Sequence, residues 1–593
     1  MNRAIIIILL LLSFLPAGLS AGRKVYATAS SFKSALSVAI AGDTIELADG
    51  AYDIGGNSLT KSGTADQRIV IKAQNRGKAE LKGSSAFTGK GIAFVTIEGF
   101  LFTSSATTVV KTESCNNMRI TRNVFRLTET ASGKWVLIGG TYNIATANSH
   151  HNRIDHNRFE GKTQLGNYVT IDGSPSSLGS PEASTDDRID HNHFRTIGPR
   201  ATNEMETIRI GQSEICRSES RTVVEENLFE ECDGDPEIVS VKTKKSVIRW
   251  NTFVRSQGTV CLRSSDSSLV EGNWFFGGGK SGTGGVRVYG QGHRIINNYF
   301  HALTGDTWDA PITITNGDAE LSGSNTAHWR PTNITVAFNT FVENDQGLQF
   351  GFTNNGSYGK APQNITAANN LVVGAKNQLV KVITAPSNLV WQGNIMYPRS
   401  GATLGITATD AQVKVIDPQL TGTDSLYRIA AGSPAVDAAI GPWSAVGTDI
   451  DGQQRAGVWD VGADEVSSSQ ALHRPLTTTD VGPDAPESLA VVTAVGEKRN
   501  RGTSLLPGTS VMNYPNPFNP STTIVAVPAF SGWSTIRITD MTGRAVGTVF
   551  QGRVEAGREV RVPFRGDELS SGVYLLSVET AGDRIVRRMI LLR

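Results

Sequence analysis

Ser246-Val-Ile-Arg-Trp-Asn251-Thr-Phe253 and His293-Arg-Ile-Ile-Asn-Asn298-Tyr-Phe300 decide the fold. Each is a short apolar-polar alternation that ends in Asn-x-Phe. The same Asn-x-apolar element recurs at Asn123, Asn157, Asn192, Asn227, Asn273, Asn339, Asn370 and Asn394. Successive intervals are 34, 35, 35, 24, 22, 25, 41, 31 and 24 residues. The short ones cluster near 24, and the long ones read as one turn plus an inserted loop. A helical solenoid needs stretches of helical period between the markers, and the sequence has none. Short strands parted by polar turns predict an all-β chain, a right-handed single-stranded parallel β-helix. Its coils stack at about 4.8 Å, the spacing of strands in a sheet. Asparagines at equivalent corners are expected to form an amide ladder, and the phenylalanines to stack inside. These asparagines are therefore assigned no catalytic role.

The β-helix is expected over residues 22–465. It opens with a short capping helix, and an Ala-Gly-Asp turn precedes the first strand. It closes with SPAVDAA and GTDIDGQQRAGVWDVGADE. The 300–335 insertion, with Trp308 and Trp329, is a candidate loop over the binding face. Residues 1–21 read as a secretory signal: Arg3, then an apolar run from Ala4 to Leu15, then Pro16 and small residues. That run is shorter than the roughly 20 residues a membrane span needs, so no transmembrane segment is expected once the signal is removed. Net charge is +1, which gives no global case for nucleic acid. Four cysteines are too few for a disulfide framework in 593 residues, and C-x-x-C spacing is absent. Cys232 and Cys261 either pair or pack as small apolar residues, and packing is preferred. Residues 466–508 have linker composition. Residues 509–593 alternate in short strands and predict a small β-sandwich.

The repeat gives Asp235-Pro-Glu237-Ile-Val-Ser-Val-Lys242 its meaning. Lys242, Arg263 and Arg287 are 21 and 24 residues apart, so one cation per coil is expected in a row. Asp235 and Glu237 are two apart and face the same way on an extended segment. Two adjacent carboxylates repel unless they share a proton or a cation. Asn203 lies about one inserted coil earlier and offers a neutral oxygen, and such hard donors suit Ca²⁺. Lys242 follows Glu237 by five residues, an odd number. Both face one cleft only if a bend or bulge intervenes. A metal beside a lysine and arginines suits β-elimination on a uronate polymer: the metal stabilises charge on the carboxylate, and the lysine takes the C5 proton.

NEMETIRIG, VVEENLFEECDGDPEIVSVKT, VIRWNTF, GTVCLRS and GGVRVYGQGH resemble the core of polysaccharide lyase family six, which comprises alginate lyases and chondroitinase B. The resemblance covers most of residues 22–465. It implies a parallel β-helix, Lys242 as catalytic base, Arg263 as assisting cation or acid, and calcium on Asn203, Asp235 and Glu237. It implies further that Arg287, Tyr289, His293 and Glu206 contact substrate. His293 reads equally well as a satisfied buried histidine. Asp235 stands where the family commonly has Glu, and Ser264 where it often has His. YPNPFNPSTTI, SSGVY and the basic final strand resemble the C-terminal sorting domain of the type nine secretion system, which implies export across both membranes, with the protein released or surface-attached.

Three readings compete. The first is a secreted, calcium-dependent alginate lyase, with dermatan sulfate as the second substrate. Another is a non-catalytic β-helix that binds acidic glycans, against which the register of Lys242 and Arg263 argues. The last is a pectin-type hydrolase, which needs clustered aspartates, and Asp233/Asp235 lack a third partner.

Overall fold

The computed structural model describes residues 22–487 and 510–591, apart from 140–147, 175–181, 375, 424, 444–445, 515–517, 529–531, 541–543, 555–557, 559, 568 and 580–583. The expected signal peptide and residues 488–508 of the expected linker lie outside the described residues. The chain forms two compact units, Met1–Thr493 and Ala494–Arg593.

The first unit is a parallel β-helix of three long sheets with 14, 12 and 14 strands. One coil runs Val247–Arg249, Thr252–Val254, Gly258–Leu262, and each strand pairs in parallel with its counterpart one coil away. The Asn-x-Phe corner explains why the coils stack. From Asn123 to Asn394 every marker asparagine donates its side-chain amide to Oδ1 of the next, at 2.9–3.0 Å. The same oxygens accept backbone N–H groups, as Asn251 Oδ1 does from Asn227 at 3.0 Å. All ten are fully buried. Inside, the rings of Phe102, Phe125, Phe159, Phe194, Phe229, Phe253, Phe275, Phe300 and Phe341 stack with centroids 4.5–5.1 Å apart.

The N-terminal edge is covered by helix Ala29–Val38, which buries Phe32, Ala35 and Leu36. A strand, Arg23–Tyr26, precedes it and pairs with Thr44–Leu47, one element earlier than the sequence suggests. All four cysteines are free and buried.

Residues 466–487 correct the linker reading. They run back along the coils as a strap. Leu472 N donates to Asp451 O, Leu476 N to Thr252 Oγ1, and Gly482 N to His191 O. Arg122 donates to Pro483 O, Ala485 O and Glu487, and His156 Nε2 bonds Pro486 O. His473 stacks on Trp250 at 3.8 Å. Backbone groups make most of these contacts, so the strap needs no apolar periodicity and its composition stays linker-like.

The second unit has antiparallel sheets of three and four strands over residues 510–591. They enclose Ile524, Ile536, Ile538, Leu576, Val578 and Met589, the expected sandwich.

Candidate active site

The strand Glu237–Val241 pairs with Gly258–Leu262, and its register slips between Glu237 and Val239. Glu237 pairs with Thr259 and Val239 with Val260, so Ile238 is the extra residue of a bulge. The bulge restores even spacing: Ser240 Oγ donates to Glu237 Oε2 at 2.5 Å, and Lys242 lies two residues beyond Ser240 on the same face. This is the bend that the five-residue interval demands. Gly258, at φ +107°, makes room for it, because a Cβ there would lie 2.7 Å from the carbonyl oxygens of Asp235 and Pro236.

Register also corrects the row of cations. Val241 pairs with Leu262 and Leu262 with Val288. One position on, Lys242, Arg263 and Tyr289 therefore stand side by side. Arg287 pairs with Cys261, which pairs with Ser240, so it belongs to a parallel row two residues back. The three cations converge instead on one carboxylate. Arg263 Nε lies 3.6 Å and Arg287 Nη1 4.0 Å from Glu237 Oε1. Burial opposes the Glu237 charge, but Lys242, Arg263 and Arg287 outweigh it and hold its pKa below the usual glutamate range.

Asp235 has the opposite surroundings. Burial, then the charges of Glu206 and Glu237, push its carboxyl up to about 7. Its oxygens accept the N–H groups of Glu237 at 2.9 Å and Met205 at 3.2 Å. Glu206 is fully buried; Asn167 donates to its Oε2 at 2.8 Å, and Lys242 Nζ lies 3.7 Å from its Oε1. Glu206 is thus enclosed between Asn167 and Lys242. Asn203 sits in an exposed bend two residues before Met205, and its side chain has no hydrogen-bond partner among the described residues. Carboxylate and amide oxygens are the donors calcium takes, and the raised Asp235 marks a carboxylate crowd short of positive charge. Among the described residues no three His, Cys, Asp or Glu side chains close into a metal cage.

Three expected substrate contacts are enclosed by the protein itself, although the Tyr289 hydroxyl has no hydrogen-bond partner among the described residues. Arg287 is 4% exposed; it donates to Trp308 O at 3.0 Å, Asp309 Oδ1 at 3.2 Å and Pro236 O at 3.3 Å, and lies over the Trp308 ring. Tyr289 is fully buried beneath His328 and Tyr358. His293 is fully buried at a corner, where Nδ1 accepts from Ser268 N and Nε2 donates to Ser265 O, both at 3.1 Å. Burial pushes its pKa down to about 4. Both ring nitrogens of His293 are thus satisfied within the protein.

The insertion does cover this face. Arg263 Nη1 reaches Ala327 O at 3.5 Å, and His328 bridges Asp318 at 3.1 Å and the Tyr358 hydroxyl at 3.0 Å. Burial, then Arg263, push the His328 pKa down to about 4. Trp308, Asp309, His328 and Tyr358 were not singled out as site residues by charge or spacing. Of the four, the sequence pointed only to Trp308, through its insertion.

Residues 26–428 match the family profile described as Chondroitinase B. The chain belongs to that family. A structure of the PL6 family alginate lyase AlyGC is 25% identical, with a TM-score of 0.60, over 76% of this chain and 60% of that one. A variant of AlyGC has a TM-score of 0.63 at 24% identity, over 82% and 60%, and supports the fold. A mannuronic acid specific polysaccharide family 6 lyase from human gut microbiota is 25% identical, with a TM-score of 0.54, over 64% and 87%. The chain thus spans about 60% of the length of the AlyGC chains. Comparison with curated proteins returns no match. Residues 512–592 match the secretion system C-terminal sorting domain, which directs export across the outer membrane. Among the described residues no helix is long and apolar enough to cross a membrane.

Proposed function

We propose that this protein is a secreted polysaccharide lyase that cleaves a uronate polymer, alginate first, by calcium-assisted β-elimination. The observation that carries the reading is Lys242 and Arg263 side by side on adjacent coils, with Glu237, Ser240 and the Asp235–Glu206 pair around them. Lys242 is 19% exposed at its side chain and Arg263 21%, so both reach the surface. Lys242 takes the C5 proton, the C5–H electrons form the C4–C5 double bond, and the C4–O bond breaks. The leaving oxygen takes that proton back from the protonated Lys242, which returns the base to its neutral form. Arg263 keeps its own, because a guanidinium is not deprotonated in proteins; it helps by charge and fixed donors.

Asn203, Asp235 and Glu237, with Glu206 beside them, would hold calcium. An ion bound there would supply positive charge to the substrate carboxylate and to the charge that develops as the proton leaves. The 25% identity to a mannuronic acid specific lyase favours alginate. Dermatan sulfate is the second reading, on the family's description. Its sulfates would need further cations, and Arg287 is already engaged by Asp309.

The test is ultraviolet absorbance of the unsaturated product on polymannuronate, polyguluronate and dermatan sulfate, with and without chelator. A rise on alginate that chelator abolishes is expected. No signal on any of the three polymers overturns the reading.

A further inference from the structure

Arg209 is a cation that the coil-period argument did not reach. It stands in the strand Ile208–Ile210, whose isoleucines are buried in the core, so Arg209 faces outward. Its register partners are Thr170 on one side and Ser240 on the other. The row continues through Cys261 to Arg287. Arg209 and Arg287 thus flank two small residues, three strand spacings or about 14 Å apart. Lys242 lies one strand over and two residues on, about 8 Å from Arg209 by the same spacings.

The two arginines differ in every other respect. Arg287 is held by Trp308, Asp309 and Pro236. Arg209 is partly exposed and has no ion pair or side-chain hydrogen bond among the described residues, and its Nε is buried without a partner. A buried guanidinium donor left unmade is costly, which points to a ligand that completes it. Lys134 adds charge beside it: its amine lies 3.8 Å from Asp172, and burial, then Arg209, lower its pKa. Asp172 Oδ1 accepts from Gln212 at 2.7 Å, and the carboxylate faces both Lys134 and Arg209, whose charges act on it.

The opposite side of Lys242 is closed. Beyond Arg287 the row runs to Thr313 and Gln349, both buried, and Gln349 Nε2 donates to Thr307 O at 2.7 Å and Thr313 Oγ1 at 2.9 Å. Trp308 covers Arg287, and His328 and Tyr358 cover Tyr289. Among the described residues these groups cover the C-terminal side of Lys242, and Arg209 lies on the other side.

We infer that Arg209, backed by Lys134, is a carboxylate-binding subsite for a second uronate, which holds the polymer on the N-terminal side of the cleavage point. A guanidinium fork matches a carboxylate through two parallel hydrogen bonds, which a lysine cannot reproduce. The inference rests on the lyase reading above.

The experiment is steady-state kinetics of Arg209→Gln, Arg209→Lys and Lys134→Gln on the polymer that the wild type cleaves, with melting temperatures alongside. Arg209→Gln should raise KM about tenfold, as loss of a charge-assisted contact does, while kcat changes far less. Arg209→Lys should recover part of the loss, and the melting temperature should stay within about 2 °C. An unchanged KM overturns the subsite. So does a fall in kcat and melting temperature that Lys does not relieve, which marks a structural arginine. If the wild type cleaves nothing, the lyase reading falls, and calorimetric binding of oligomannuronate to wild type and Arg209→Gln decides the subsite by itself. Equal affinity, or no binding to either, overturns it.

Discussion

Two faces of the same coils resolve opposite problems. At the Asn227–Asn251–Asn273 corner each amide meets a neighbour of its own kind, carries no charge and is fully buried. On the outer face, one or two strands away, Asp235 is pushed up to about 7 among carboxylates while three cations surround Glu237. A repeat that is satisfied within itself builds the rod. A repeat left unbalanced leaves charge for something else to complete. Substitutions at the corner should therefore lower stability and spare turnover in the molecules that remain folded, and substitutions on the outer face should do the reverse.

After the base itself, Arg263→Ala gives the largest effect. Loss of its charge beside the reacting centre should lower kcat by about 10²–10³, with little change in denaturant midpoint, and Lys in its place should recover only part because the fork is lost. A stability loss as large as a core mutant's would break the contrast.

His293 is next. Its folded pKa of about 4 lies below the ordinary 6.5. As pH falls from 6.5 to 4 the unfolded chain takes up a proton that the native state refuses, so stability declines over that window, by about 3 kcal/mol for this residue. His293→Gln should flatten the slope by one proton. An unchanged slope would show that the ring is not held neutral at its corner.

Asn251→Ala strands the backbone N–H and the side-chain amide of Asn227 and should cost about 2–3 kcal/mol. Activity per folded molecule, measured below the unfolding transition, should be unchanged.

The smallest effect has the most informative sign. With calcium chelated, Asp235→Asn should stabilise the protein by about 1 kcal/mol, because the native carboxyl is raised above its unfolded value and costs stability as pH rises from about 4 through 7. Added calcium should reverse the order of wild type and variant. Stabilisation that calcium leaves untouched would remove Asp235 from the metal set.

The sequence disclosed most where one residue type must recur in every coil. Asn-x-Phe is such a demand, since each amide and each ring needs its like one coil away. The five-residue interval from Glu237 to Lys242 disclosed the need for a bulge, though not that Ile238 supplies it. Counting residues placed Arg287 in line with Lys242, but that coil is longer than the interval. It gains one residue before Gly258 and one more at a second register shift between Gly258 and Val260. Arg287 therefore stands two positions back, where Asp309 holds it. The strap was illegible because carbonyls such as Pro483 O and Pro486 O make its contacts, and carbonyls are the same in every residue. Arg209 was in plain view within NEMETIRIG, but its lack of partners appears only when the coils are stacked.

The central claim is that Lys242 removes the proton. Its most direct measurement is product absorbance on alginate with calcium present, wild type against Lys242→Ala at matched folded concentration. A fall in rate of about 10²–10⁴, with the variant's melting temperature retained, is the predicted result. Turnover within a few-fold of wild type would contradict it and place the base elsewhere on the face.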